Sequence, residues 1–126
     1  MNITDGQQTT GIKLRQPQFP QGPIDARLIK AEIVKNCNTQ YGQNDGIDLT
    51  YHIVNGVSEV EKKERIFVSQ AKNSKCMQVL HELYGEVVPK QINLQEHINR
   101  KCRLTIQHKA DTMGNIYDNI VARKFY

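Results

Sequence analysis

Arg65 and Phe67 stand two residues apart in the run Lys63-Glu-Arg-Ile-Phe-Val68. In an extended strand, that spacing puts both side chains on one face. A guanidinium grips anionic oxygens and a flat ring accepts another flat group, so the pair could hold a charged, planar ligand. Other chemistry finds little material. His52, His81, His97 and His108 form no HExxH or HxH pair. No GxSxG turn and no glycine-rich phosphate loop occurs, and the acidic residues are not clustered as a metal site requires. Cys76 lies near a helix start, which lowers a thiol pKa, but the sequence supplies it no partner base. The chain therefore reads as a binding protein and not an enzyme, with no catalytic residue, metal or cofactor expected.

Charge is unevenly placed. Residues 1–86 carry equal numbers of basic and acidic side chains. The last third carries Lys90, Arg100, Lys101, Arg103, Lys109, Arg123 and Lys124 against Glu96, Asp111 and Asp118, so the whole net charge of +4 lies there. Such asymmetry points to a polyanion, although a solvated sheet face would look similar. Cys37, Cys76 and Cys102 are odd in number and make no CxxC pair. Free thiols in a reducing cytoplasm are expected. No apolar run nears the roughly 18 residues of a membrane span, and no charged-then-apolar leader opens the sequence.

The elements that must position these side chains follow from periodicity. Residues 1–23 are rich in Gln, Thr and Pro and read as a flexible N-terminal arm, with Phe19 able to pin its end to the core. Residues 24–126 read as the folded domain. Ile24 to Lys35 is expected as a strand whose apolar side switches at Leu28-Ile29, the mark of a bulge or bend; a helical stripe through Ala26, Ile29 and Ile33 is the rival. Asp45-Gly46 suggests a tight return. Ile47 to Val54 alternates as a second strand, closed by Asn55-Gly56. Lys63 to Ser69 is the third, with Ile66 and Val68 inward and Arg65 and Phe67 outward. A slip of one residue would instead bury Phe67 and expose Ile66.

Ser74 to Tyr84 is expected as the one long helix. Ser74 caps it, Cys76, Val79, Leu80 and Leu83 form its apolar face, and Gly85 stops it. One helical turn at Leu94 to Ile98 precedes a hairpin. In that hairpin Cys102, Leu104 and Ile106 alternate with Arg103, Thr105 and Gln107, and the turn covers 110–115. Strand, strand, strand, helix, strand, strand predicts an all-β fold with one helix: a five-stranded OB-fold barrel with the helix between strands 3 and 4.

The C-terminal half is similar to small OB-type single-stranded-DNA-binding proteins of phages and mobile elements. Lys63-Glu-Arg-Ile-Phe-Val and Met77-Gln-Val-Leu-His-Glu-Leu carry part of the resemblance. Leu94-Gln-Glu-His-Ile-Asn-Arg-Lys-Cys-Arg-Leu-Thr-Ile-Gln-His-Lys and Asn115-Ile-Tyr-Asp-Asn-Ile carry the rest. It runs over residues 22–124 and is sharp over 94–121. It implies sequence-tolerant binding of single-stranded DNA in replication or recombination, in the cytoplasm, with replication or recombination proteins as further partners and a homo-oligomer compatible with it. Two features depart from the broader class: the chain ends Ala122-Arg-Lys-Phe-Tyr126 without an acidic tail, and it has no Trp.

An OB barrel binds across its second and third strands, between the loop after the first strand and the last hairpin. On this chain that surface offers Thr50, His52, Lys63, Arg65 and Phe67, with Tyr41 above and Lys109 opposite. Arg103 and Arg123, on adjoining strands, would extend it. The alternative is an OB barrel used for protein–protein contact, as a replisome accessory or virion component, without direct nucleic-acid binding.

Overall fold

The structure, a computed structural model, describes residues 2–4, 9–11, 14–40, 42–55 and 58–126. Two short strands, β1 (Asn2–Thr4) and β2 (Thr9–Gly11), pair antiparallel with each other. Five long strands make the main sheet: β3 (Gly22–Thr39), β4 (Gly42–Asn55), β5 (Ser58–Phe67), β6 (Lys101–Ala110) and β7 (Ile116–Phe125). All neighbours are antiparallel, in the order β5-β4-β3-β6-β7. The sheet is not closed: among the described residues, no ladder joins β5 to β7. The α-helix α1 (Lys75–Tyr84), single among the described residues, packs against these two free edges.

β3 is the central strand because it bends. Gly22 to Arg27 pairs with β6, while Ala26 to Thr39 pairs with β4. The register slips between Leu28 and Lys30, so Ile29 is the extra residue of a bulge, where the apolar side was expected to switch. The helical rival for this stretch is excluded. A second slip lies between Val34 and Cys37. Asp45 sits across from it and accepts hydrogen bonds from the Asn36 amide (3.2 Å) and Lys35 Nζ (3.1 Å). Asp45-Gly46 is therefore inside the β3–β4 ladder and not a hairpin return; the strands reverse between Thr39 and Gly42. A Cβ at Gly46 would lie 3.2 Å from Cys37 Sγ and 3.4 Å from the Arg65 stem, so those side chains would have to give way to any larger residue.

The inner face holds the core. Leu28, Leu49, Tyr51, Ile53, Ile66 and Leu104 are fully enclosed, each burial worth about 1.5–3 kcal/mol for an aliphatic side chain. Cys76, Val79, Leu80 and Leu83 of α1 add its apolar stripe. Ser74 caps α1 by accepting the Met77 amide (3.1 Å), and Gly85 ends it at φ 91 and ψ −148, beyond the left-handed helical well and open mainly to glycine. A 3-10 turn, Leu94–His97, leads into β6. Val68, expected inward, lies past the end of β5 and is exposed.

Phe19 is buried in the core, and residues 14–21 are fastened to the last hairpin. The Arg15 amide donates to Asn115 Oδ1 (2.8 Å), and the Arg15 carbonyl accepts from the Ile116 amide (2.7 Å). Asp118 accepts the Gln18 and Phe19 amides at 2.8 and 3.3 Å. The arm expected to run to residue 23 is thus held from its later half onward. Among the described residues, no helix is long and apolar enough to cross a membrane.

Candidate nucleic-acid interface

The outer face of β4 and β5 is set by the same alternation that fills the core. Opposite Gly46 stands Phe67, opposite Asp48 Arg65, opposite Thr50 Lys63, and opposite His52 Glu61. Ile66 points inward at 1% exposure and the Phe67 ring is 42% exposed, so the register with Phe67 outward is the one adopted. Gly46 offers no side chain to cover the ring from the neighbouring strand.

Arg65 and Lys63 flank one carboxylate. Arg65 Nε and Nη2 donate to Asp48 Oδ1 and Oδ2 at 2.7 and 2.9 Å, and Lys63 Nζ lies 3.4 Å from Oδ2. Asp48 itself is enclosed. The Arg65 hydrogen bonds hold the Asp48 carboxyl below its ordinary range against the opposing effect of burial, and Lys63 adds to the shift. Both cations remain open to solvent on their other sides. Thr50 keeps the expected outer-face register but is only 7% exposed, sitting between Lys30 and Lys63 on the neighbouring strands. Its hydroxyl is poorly placed to meet a ligand.

His52 is half-buried and faces Glu59 at 3.4 Å. Its other neighbour is Arg27. From there the outer face runs into a groove of about 830 Å³ lined by Arg27, His52, Lys101, Arg103 and Tyr126, with Asp25 among them. Arg103 stands directly across from Asp25 and donates from Nε to its Oδ1 (3.0 Å). Lys109 is exposed near the end of β6, away from this groove. Tyr41 lies outside the described residues.

Arg123 requires a correction. It was expected on the solvated face beside Arg103; it is 4% exposed and points into the protein. The register of β6 and β7 slips between Thr105 and Ile106, leaving Val121 as an extra residue. That bulge turns Arg123 to the side of Leu104 and Ile120. There it donates to Glu64 through Nε (2.6 Å) and Nη2 (2.5 Å), and to Glu82 through Nη1 (2.9 Å). The Tyr51 hydroxyl also donates to Glu64 Oε1 (2.7 Å). Burial alone would lower the Arg123 pKa, but the bonds and charge of Glu64, with Tyr51 and Glu82, more than reverse it. Burial, then the Glu64 charge, pushes the Tyr51 phenol well above its usual range. This guanidinium is committed to the interior and is not offered to a ligand.

Sequence reading passed over Lys75, Arg27 and Tyr126. Lys75 is a helix start and Arg27 a strand residue of balanced surroundings; only the tertiary fold brings each beside other cations. Lys62, beside Lys63 on β5, takes the opposite side of the strand, across from Tyr51. Among the described residues, no three His, Cys, Asp or Glu side chains converge as a metal site. The sequence matches no known protein-family model and no curated protein.

Proposed function

We propose that this chain binds single-stranded DNA with little sequence preference, on the outer face of β4 and β5. The observation that carries the reading is the exposed Phe67 ring beside Arg65 and Lys63 on one strand face. A stacking ring next to phosphate-binding cations is the minimum that an unpaired strand needs, at about 1–3 kcal/mol per stacked base. Thr50 and Arg123 drop out of the proposed surface; His52 and Arg103 extend it along the groove toward Tyr126.

Five antiparallel strands, with a helix between the third and fourth, are the parts of a partly open OB-type barrel, and we assign the fold to that class. The resemblance of 94–121 to phage and mobile-element proteins suggests a role in their replication or recombination, in the cytoplasm. The test is fluorescence polarisation with labelled oligo-dT across a salt series. Binding should weaken steeply as salt rises. No binding at low salt overturns the proposal.

One observation favours the protein-contact alternative: Arg65 and Arg103 already face Asp48 and Asp25, which lowers the free positive charge of the face. A stable protein partner in a pull-down, with no oligonucleotide retained, would select that reading.

A further inference from the structure

The free edges of β5 and β7 are separated by a cleft of about 580 Å³. Four lysines from three elements line it: Lys62 and Lys63 of β5, Lys75 of α1, and Lys109 of β6. Among the described residues, two carboxylates also line it, and both are engaged. Glu64 receives Arg123 and Tyr51. Asp118 receives the Gln18 and Phe19 amides. Lys75 lies 3.6 Å from Glu64 and Lys63 3.4 Å from Asp48, while Lys62 and Lys109 make no ion pair among the described residues. Positive charge therefore exceeds available negative charge inside a concave wall. Among the described residues, no aromatic ring lines the cleft, so it suits a phosphate backbone and not a base.

We infer that this cleft carries the phosphodiester backbone of the same single strand, held by Lys62, Lys75 and Lys109, with Lys63 joining it to the Phe67 face. The inference rests on the function proposed above. Lys63 supplies the continuity: it lines the cleft and shares the outer face with Arg65 and Phe67. Four steps along the strand separate Lys63 from Phe67, about 13 Å. A strand stacked on Phe67 thus reaches the cleft by following β5. Lys62 is partly buried, and its pKa is lowered by that burial. A phosphate brought beside it would oppose that effect of burial and favour the charged amine.

The test compares oligo-dT binding by the native chain and by Lys62→Gln/Lys109→Gln over a salt series. Loss of two phosphate contacts should reduce the steepness of log K against log salt by about 1.4. Lys109→Gln alone, at an exposed position that folding does not need, should reduce it by about 0.7. Lys62→Arg should keep the native slope. If the native chain binds and Phe67→Ala weakens it, yet neither glutamine variant changes the slope, the cleft assignment is wrong and the outer-face reading stands. If the native chain does not bind at all, both fall.

Discussion

Arg123 of β7 and Glu64 of β5 meet in a two-pronged ion pair across the gap between the sheet's free edges, at 2.6 and 2.5 Å. Side chains join here what backbone hydrogen bonds leave apart. The remaining donors and acceptors are also used: Tyr51 gives its hydroxyl proton to Glu64, and Glu82 takes the Arg123 amide (2.7 Å). Removing one partner strands a buried charge. Arg123→Ala should cost about 3–5 kcal/mol in urea unfolding. Replacing both ends, as Arg123→Met with Glu64→Leu, should recover most of that loss. Equal stability of the single and double variants would show that the pair does not act as a unit.

Asp48 gives a pH signature. Its folded pKa lies below the ordinary 3.8 because Arg65 and Lys63 favour the carboxylate. Its stabilisation is thus complete above about pH 4 and is lost as pH falls through the lowered value. Asp48→Asn should flatten the acid limb of the stability curve in this window. It should also release Arg65 and Lys63 to a ligand, so oligo-dT affinity should rise severalfold at low salt. Weaker binding would mean that Asp48 is needed to position Arg65.

Phe67 and Phe19 make opposite predictions from one residue type. Phe67 is exposed, so Phe67→Ala should leave thermal stability nearly unchanged and weaken oligo-dT binding by about 1–3 kcal/mol, roughly 5- to 150-fold. Phe19 is enclosed in the core. Phe19→Ala should cost about 3–5 kcal/mol of stability while the fraction still folded binds normally. Calorimetry and polarisation on the two variants separate packing from recognition.

Asp118 ties residues 14–21 to the last hairpin through two backbone amides, and His108 Nε2 meets the Phe19 carbonyl at 2.7 Å. Asp118→Ala removes both of these amide hydrogen bonds. The segment should then become cleavable by trypsin at Arg15, with the sheet still protected. Unchanged digestion would show that Phe19 burial and the Arg15 bonds to Asn115 and Ile116 hold it without Asp118.

Much of this fold is legible in the sequence where a local cause is sufficient. Ser74 and Gly85 bracket α1 through the capping chemistry that their types suggest. The switch of apolar side at Leu28-Ile29 marks the bulge that lets β3 pair on both sides. Phe67 faces outward as one of the two open registers required. Arg123 fails for a reason that alternation cannot anticipate: Val121 bulges, its carbonyl takes the Gln78 side-chain amide (3.0 Å), and every later residue of β7 changes face. Asp45-Gly46 fails because its turn chemistry serves a neighbouring bulge. The cleft is hidden from sequence altogether, since its lysines come together only when β5, α1 and β6 are assembled.

The bond between Arg123 and Glu64 spans 59 residues of chain. On a ribosome adding about 5–20 residues per second, the carboxylate is made roughly 3–12 s before its guanidinium exists. Until then the nascent wall has an open seam and Glu64 lacks its two-pronged partner, which favours late, all-at-once consolidation over stepwise assembly from the first strand.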